Sequence, residues 1–330
     1  MNQPISIVIP MYNAKKHIND VLEAIFQQDY SGQVEVIVVN DGSTDNSLEI
    51  VKGFKGNGDL KIIDQPNQGA VAATNNGFKA AIHDIICSID SDVVIHKEWL
   101  HKIIEEFDDS EVGAVQGYIK TPEGVSFLAR MAGYDLEHRY DRLNSKYTTQ
   151  VSTANTAYRK SALKKAGHFN PEFKYGYDND ISYRLQKAGY KLVFSKDALC
   201  KHYWKTDLKS YIKQQYWSAY GRMQLIRKHT ERIGGDTVSG LRMILQVPLT
   251  MLFFTLFIPG LISLSYICGR YTFLASLGIL GIMLIDRFLF AVGIFIKQRD
   301  FSVLFLPFLH LLRNMVWCWA FLRWGLKWIK

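Results

Sequence analysis

Ile85-Ile-Cys-Ser-Ile-Asp-Ser-Asp92 decides how the first part of the chain is read. Residues 85–89 are a short apolar run of the kind a buried strand makes, and it stops at two carboxylates one residue apart. Two other runs share this form: Ile5-Ser-Ile-Val-Ile9 is closed by Pro10-Met-Tyr-Asn13, and Val34-Glu-Val-Ile-Val-Val39 by Asn40-Asp-Gly-Ser-Thr-Asp45. Leu60 to Ile63 is a further short run. Helical patterns fall between them, over about Lys16 to Gln28, from Asp45 to Lys52 and from Ala70 to Ala81, with Ser43, Thr44 and Asp45 offering N-cap chemistry. Strands alternating with helices predict right-handed crossovers and an α/β domain with a mostly parallel, Rossmann-like sheet. Ligands of such sheets lie beyond the carboxyl ends of the strands, so the three polar strand ends are expected to converge on one crevice.

The mean hydropathy of -0.04 averages two unlike regions. Charged and apolar residues mix up to about Arg242; from Met243 onward the chain is strongly apolar. Three segments there, Ile244 to Cys268, Thr272 to Ile296 and Phe301 to Trp324, approach or exceed the roughly 20 residues a helix needs to cross a bilayer. The second holds Asp286 and Arg287, and the third holds Pro307, His310 and Arg313; such residues are costly in lipid and are expected to face other helices or a polar path. Three crossings would set the tail lysines Lys327 and Lys330 opposite the basic stretch before the first segment, against the positive-inside tendency; a re-entrant or surface-lying third segment would remove the conflict.

The net charge of +8 suits nucleic acid, an anionic membrane or a phosphorylated substrate. Lys201, Lys205, Lys209, Lys213, Arg222, Arg227, Lys228, Arg232 and Arg242 gather just before the apolar region, which favours a membrane surface. No nucleic-acid-binding signature accompanies them, so no nucleic-acid partner is expected. Cys87, Cys200, Cys268 and Cys318 are far apart and contain no CxxC pair, which suits a reducing cytosol rather than a disulfide framework. The opening MNQPISIVIPMYN has no basic stretch followed by a long apolar core, so no signal peptide is read. The expected organisation is an α/β domain over 1–204, amphipathic interfacial helices over 205–242 and a membrane region of two to three helices over 243–330. An integral membrane protein with its first domain on the cytoplasmic side follows.

Asp90 and Asp92 end an apolar strand, where two carboxylates can hold Mg²⁺ or Mn²⁺ together with substrate phosphates. A solvated turn is the rival reading. The stretches SIVIPMYNA, VVNDGSTDNS, NQGAVAATNNG, SIDSDV, TANTAYRKSALKKAGHFNPEF and YGYDNDISYRLQKAGY, running in order from residue 5 to about 194, resemble a family 2 glycosyltransferase of GT-A fold. That resemblance implies a donor site in which Pro10 and Tyr12 line the base pocket beside Asn13. Asp41 would accept from the base, Asp45 support the loop, and Asn67 and Gly69 approach the nucleotide. Asp90 would contact the ribose or sugar side and Asp92 the metal, with His202 completing the metal site. Asp178 would be the base that takes the acceptor's proton, and Asp180 would orient the helix start or the acceptor. Two residues depart from the family's pattern: Tyr177 stands where Glu is usual, and Thr74 where Arg is frequent.

Gln214-Gln-Tyr-Trp-Ser-Ala-Tyr-Gly-Arg222 resembles acceptor-side elements of the same family, which would place Gln214, Gln215 and Trp217 near the acceptor. As residues alone, Tyr211, Tyr216, Trp217 and Tyr220 read as an interfacial helix with its aromatics at headgroup depth. The implied reaction is inverting transfer of a sugar from a UDP- or GDP-sugar to a hydroxyl of a membrane-associated, polyprenyl-diphosphate-linked saccharide. Transfer to a polyprenyl phosphate, processive polysaccharide synthesis and a non-catalytic membrane adaptor are the alternatives.

Overall fold

A computed structural model of the chain describes residues 3–56 and 58–326, so Lys327 and Lys330 lie outside the described residues. The chain forms two compact units, Met1–Glu123 with Tyr140–Tyr203, and Gly124–Arg139 with Trp204–Lys330.

The first unit runs β1 (Ile5–Met11), α1 (Ile18–Phe26), β2 (Val34–Asp41), α2 (Ser47–Gly53), β3 (Asp59–Gln65), α3 (Ala70–Ala80), β4 (Ile85–Ile89), β5 (Val93–Ile95), α4 (Trp99–Ile104) and β6 (Val112–Lys120). After α5 (Phe127–Asp141) come β7 (Tyr147–Thr148), β8 (Asn155–Arg159), α6 (Lys160–Ala166), α7 (Tyr177–Lys187) and β9 (Lys191–His202). The strands make one sheet in the order β3-β2-β1-β4-β8-β6-β9-β5, with β7 on β9. β1, β2, β3 and β4 are parallel, while β8 lies antiparallel between β4 and β6. β9 is parallel to β6 and antiparallel to β5. The sheet is therefore mixed, with its parallel half built from the runs that carry the polar strand ends.

Val8, Ile37, Val39, Phe78, Ile86, Tyr158, Phe169 and Leu185 form one buried cluster, which is why these strands are apolar throughout. Gly77 of α3 lets that helix lie close on the sheet: a Cβ there would stand 2.3 Å from Val8 Cγ1 and 3.0 Å from Val39 Cγ2. β1 runs two residues past the Ile9 end expected from Pro10. Its pairing with β4 stops at Val8, so at Pro10 only β2 flanks the strand and the proline costs less of the ladder.

The second unit contains α5 up to Arg139, α8 (Leu208–Lys228), α9 (Leu241–Ile244), α10 (Gln246–Ile262), α11 (Ile267–Gln298) and, after a short 3₁₀ turn, α12 (Leu306–Leu326). Among the described residues, three stretches are long and apolar enough to cross a membrane: Leu241–Ile262, Ile267–Gln298 and Phe301–Leu326. The first ends earlier than Cys268. The chain turns after Ile262, where Tyr266 N donates to Ser263 O at 3.0 Å, and Cys268 belongs to α11.

Residues 124–139 join this unit rather than the 1–204 domain read from the linear pattern, because Leu128, Met131 and Tyr134 pack with Ala291, Ile294, Val303 and Leu306. The polar residues of the apolar segments do face protein. Asp286 pairs with Arg242 and Arg287, Arg313 Nη2 donates to Gln246 Oε1 at 2.9 Å, and His310 Nε2 lies 3.3 Å from Asp135 Oδ1. Burial opposes the charge on Asp135, but Arg139, His310 and Arg313 outweigh it and hold the carboxyl well below the ordinary carboxylate range. Tyr211, expected to face headgroups, is instead buried in the Met131–Ala291–Leu306 cluster, and its helix α8 packs along α12.

Candidate active site

The first strand ends are laced together by side chains. Asn13, at φ 52°, donates from its backbone N to Ser43 Oγ at 3.0 Å and accepts at Oδ1 from Thr44 N at 2.8 Å. Ala14 N donates to Ser47 Oγ at 2.7 Å. Asp45 Oδ1 accepts from Ser47 N at 3.0 Å and from Ser47 Oγ, and Oδ2 accepts from Lys15 N at 3.4 Å. Burial opposes the Asp45 charge, yet these bonds lower its pKa. Asp45 thus caps α2 from one residue before the geometric cap, Asn46. Tyr12 follows β1 directly with half its surface exposed, which leaves its ring available for stacking.

Asp41, expected to accept from the base, turns its carboxylate to the loop before α3. It is 3% exposed, and its Oδ1 accepts from Gln65 Nε2 and Gln68 N, its Oδ2 from Gly69 N, each at 2.8 Å. Asn67 Nδ2 donates to Asp41 O at 3.0 Å. The carboxylate therefore builds the 65–69 loop, and Gly69 adopts φ 93° at the start of α3, a conformation that favours glycine. Gln65 lies outside every motif and Gln68 inside one, but only the fold reveals them as Asp41's partners. Thr74 is buried, and its hydroxyl donates to Ala70 O at 2.8 Å, so it supplies no charge to a phosphate.

The two strand-end carboxylates take different neighbours. Asp92 Oδ1 lies 3.3 Å from His202 Nε2, because β5 and β9 are antiparallel with Val93 opposite His202. Asp90 lies within electrostatic reach of Tyr177, Tyr158 and Cys200. Asp178 reaches the same two tyrosines. Asp90 and Asp178 thus both bear electrostatically on Tyr177, although Asp90 is far from them in sequence. Tyr177 keeps part of its surface open, but protein crowds its hydroxyl. Desolvation, with Asp90 and Asp178 nearby, raises the phenol above the ordinary tyrosine range. Tyr158, fully buried, is raised for the same first reason.

Asp178 and Asp180 sit in the first turn of α7, whose N-cap Gly176 has φ 75°. Asp178 is partly exposed, and its Oδ1 accepts from Asn179 N at 2.8 Å. Asp180 is fully buried and bound to Arg184 Nη2 at 2.6 Å, while Arg184 also donates to Ala166 O. Asp180 therefore braces α7 against the end of α6 and is turned away from solvent. Gln214, Gln215 and Trp217 are on α8 of the second unit. Gln215 Oε1 accepts from Trp317 Nε1 at 3.2 Å, and Trp217 is edge-packed between Tyr216 and Tyr220.

Among the described residues no group of three or more His, Cys, Asp or Glu forms a complete metal cage. The Asp92–His202 pair nevertheless fits half of one. Two adjacent ligands of an octahedral ion with bonds of about 2.1 Å lie about 3 Å apart, close to the 3.3 Å observed, and such ions commonly take their other ligands from phosphate and water. The carboxylate suits Mg²⁺ or Mn²⁺, and the imidazole favours Mn²⁺ of the two.

The described parts of the site are thus the acidic strand ends of a mixed sheet, a carboxylate at the start of α7 and the Asp92–His202 pair. Residues 6–167 match the model of Glycosyl transferase family 2, and the chain carries a domain of that family. Two similar curated proteins are both named poly-beta-1,6-N-acetyl-D-glucosamine synthase. The one from Staphylococcus epidermidis is 29% identical over 232 residues, covering 68% of this chain and 56% of its own. The one from Staphylococcus aureus is 27% identical over 231 residues, with the same coverage of 68% and 56%. The chain thus spans a little over half the length of these relatives. Among solved structures, the mannosyltransferase PcManGT of Pyrobaculum calidifontis, in complex with GDP-Man and Mn²⁺, covers 96% of this chain and 87% of its own at 15% identity with TM-score 0.61. That likeness establishes a shared fold.

Proposed function

We propose that the protein is an inverting glycosyltransferase that moves a sugar from a nucleotide-sugar donor to a hydroxyl of a membrane-associated saccharide, in polysaccharide or glycan assembly. The observation that carries this reading is the Asp92–His202 pair at the strand ends of a domain in which Asp90 and Asp178 both bear electrostatically on Tyr177. Pro10, Tyr12 and Asn13 would receive the donor base on the exposed ring of Tyr12, with the Asp41-held 65–69 loop closing over the nucleotide. Asp92 and His202 would hold a divalent cation, Mg²⁺ or Mn²⁺, which when bound neutralises charge on the leaving nucleoside diphosphate. Asp178 would take the acceptor hydroxyl's proton while that oxygen attacks the anomeric carbon and the C–O bond to the diphosphate breaks, inverting the configuration. Tyr177 stays a neutral phenol between Asp90 and Asp178.

The apolar helices would keep the enzyme in the membrane with the catalytic unit on the cytoplasmic side, where its basic stretch from Lys201 to Arg242 would meet anionic headgroups. An acceptor linked to a polyprenyl diphosphate fits that setting. Repeated transfer to a growing chain is a second reading, favoured by the names of the two similar synthases.

The test is donor turnover by purified full-length protein in detergent with Mn²⁺ or Mg²⁺, starting from UDP-GlcNAc and a panel of UDP- and GDP-sugars with lipid extracts. Transfer is expected to need the cation. Asp178→Asn is expected to lose about 10²- to 10⁴-fold in kcat while still binding donor. Full activity of Asp178→Asn would remove the base from the scheme, and product length separates single from repeated transfer.

A further inference from the structure

The Asp92–His202 pair sits at a fragile place. β5 is three residues long, and its ladder with β9 ends at Val93 opposite His202. One more backbone bond follows, from Tyr203 N to Asp92 O at 3.1 Å, and Tyr203 is the last residue of the first unit before the chain leaves it. A strand end in that position frays unless something holds it. The side chain of Tyr203 stacks on His17, with ring centroids 4.2 Å apart and planes 13° from parallel. His17 ends the loop that follows β1. That loop is itself fixed, since His17 N donates to Ala14 O at 3.0 Å and Ala14 N to Ser47 Oγ at 2.7 Å. The stack therefore connects the loop carrying Tyr12 and Asn13 to the strand end carrying His202.

We propose that His17 and Tyr203 are positioning residues for the divalent cation: their stack pins the end of β9 so that His202 Nε2 stays opposite Asp92, and ties that pair to the loop beside Tyr12. The proposal rests on the cation assignment made above. Ligand atoms must be held within about half an ångström of their working positions, and groups behind the ligands typically change metal affinity 10- to 100-fold when removed. Neither ring needs to touch the ion or the substrate. A flat ring in place of either side chain keeps the contact, whereas truncation loses it.

Mn²⁺ is titrated into the full-length protein in detergent, with and without UDP, and free Mn²⁺ is read by its electron paramagnetic resonance signal. His17→Ala and Tyr203→Ala are expected to weaken Mn²⁺ binding in the presence of UDP by about tenfold. His17→Phe and Tyr203→Phe are expected to stay within about twofold of wild type, because they keep the stacked ring. Melting temperatures without metal identify any variant that has lost its fold, and the phenylalanine pair then carries the comparison. Alanine variants that fold and bind Mn²⁺ as wild type does overturn the clamp. Wild-type protein that binds Mn²⁺ no better than Asp92→Asn overturns the cation assignment instead, and the clamp with it.

Discussion

At the scale of single residues, neighbouring acids in the same motif take unlike tasks because their surroundings differ. Asp178 and Asp180 are two positions apart, yet one is partly exposed beside Tyr177 and the other is sealed against Arg184. Asp180→Ala strands the Arg184 guanidinium in a largely buried setting and is expected to cost about 3 kcal/mol of stability. The melting temperature should fall by several degrees, and donor affinity of the folded fraction should hold; an unchanged melting temperature would mean that the pair braces nothing. The split was only half legible in sequence. Both acids lie in the first turn of a helix, where capping and dipole effects favour acids anyway, and which one turns inward depends on Arg184 reaching back one turn to meet it. Asp41 is a similar case. Its motif is plain, but which groups of the loop 24 to 28 residues away turn to its carboxylate is not written in that motif.

At the scale of elements, short apolar strands and the close approach of α3 set the crevice. Gly77 is the tightest point of that packing, so Gly77→Ala must push Val8 or Val39 aside or lift α3 from the sheet. The expected loss is about 1–3 kcal/mol, the usual range for an overpacked core. Because α3 starts at Gly69, the substitution should also weaken donor binding, measured as the shift in melting temperature that a nucleotide sugar produces. A Gly77→Ala protein with wild-type stability would show that α3 has more freedom than its backbone geometry allows. The alternation of strands and helices was readable up to β4, since each buried strand is one short apolar run. The antiparallel insertion of β8 between β4 and β6 was not, because an antiparallel strand buried on both faces reads the same as a parallel one.

At the scale of the whole molecule, charged side chains placed among apolar helices are kept by pairing. Asp135 lies outside the three apolar stretches but is held by Arg139 and His310. Its folded pKa is depressed, so its contribution to stability is complete above the unfolded carboxylate value of about 4 and is lost as pH falls below that toward the lower folded value. Asp135→Asn should lower the melting temperature at pH 7, and the gap from wild type should narrow only below about pH 4. A gap that is constant down to pH 3 would show that the charge is not what Asp135 contributes. Sidedness has a native reporter, because Cys268 is exposed near the turn between α10 and α11 while Cys87, Cys200 and Cys318 are buried. With the catalytic unit cytoplasmic, a membrane-impermeant maleimide should label Cys268 in intact cells, and Cys268→Ser should abolish the label. Labelling only after the cells are opened would reverse the orientation.

The amino-acid sequence by itself determined the α/β class, the order of the first strands and helices, the acidic strand ends and the three apolar stretches. Each of these is written in local periodicity and in the residue types that end a run. Tertiary structure alone decided that Asp92 pairs with His202, that Asp90 and Asp178 both bear on Tyr177, and that Asp180 rather than Asp178 turns inward. It also decided that residues 124–139 join the helical unit and that His17 stacks on Tyr203. Pairings across tens to hundreds of residues follow from strand order and register, and no local pattern along one strand encodes its neighbour.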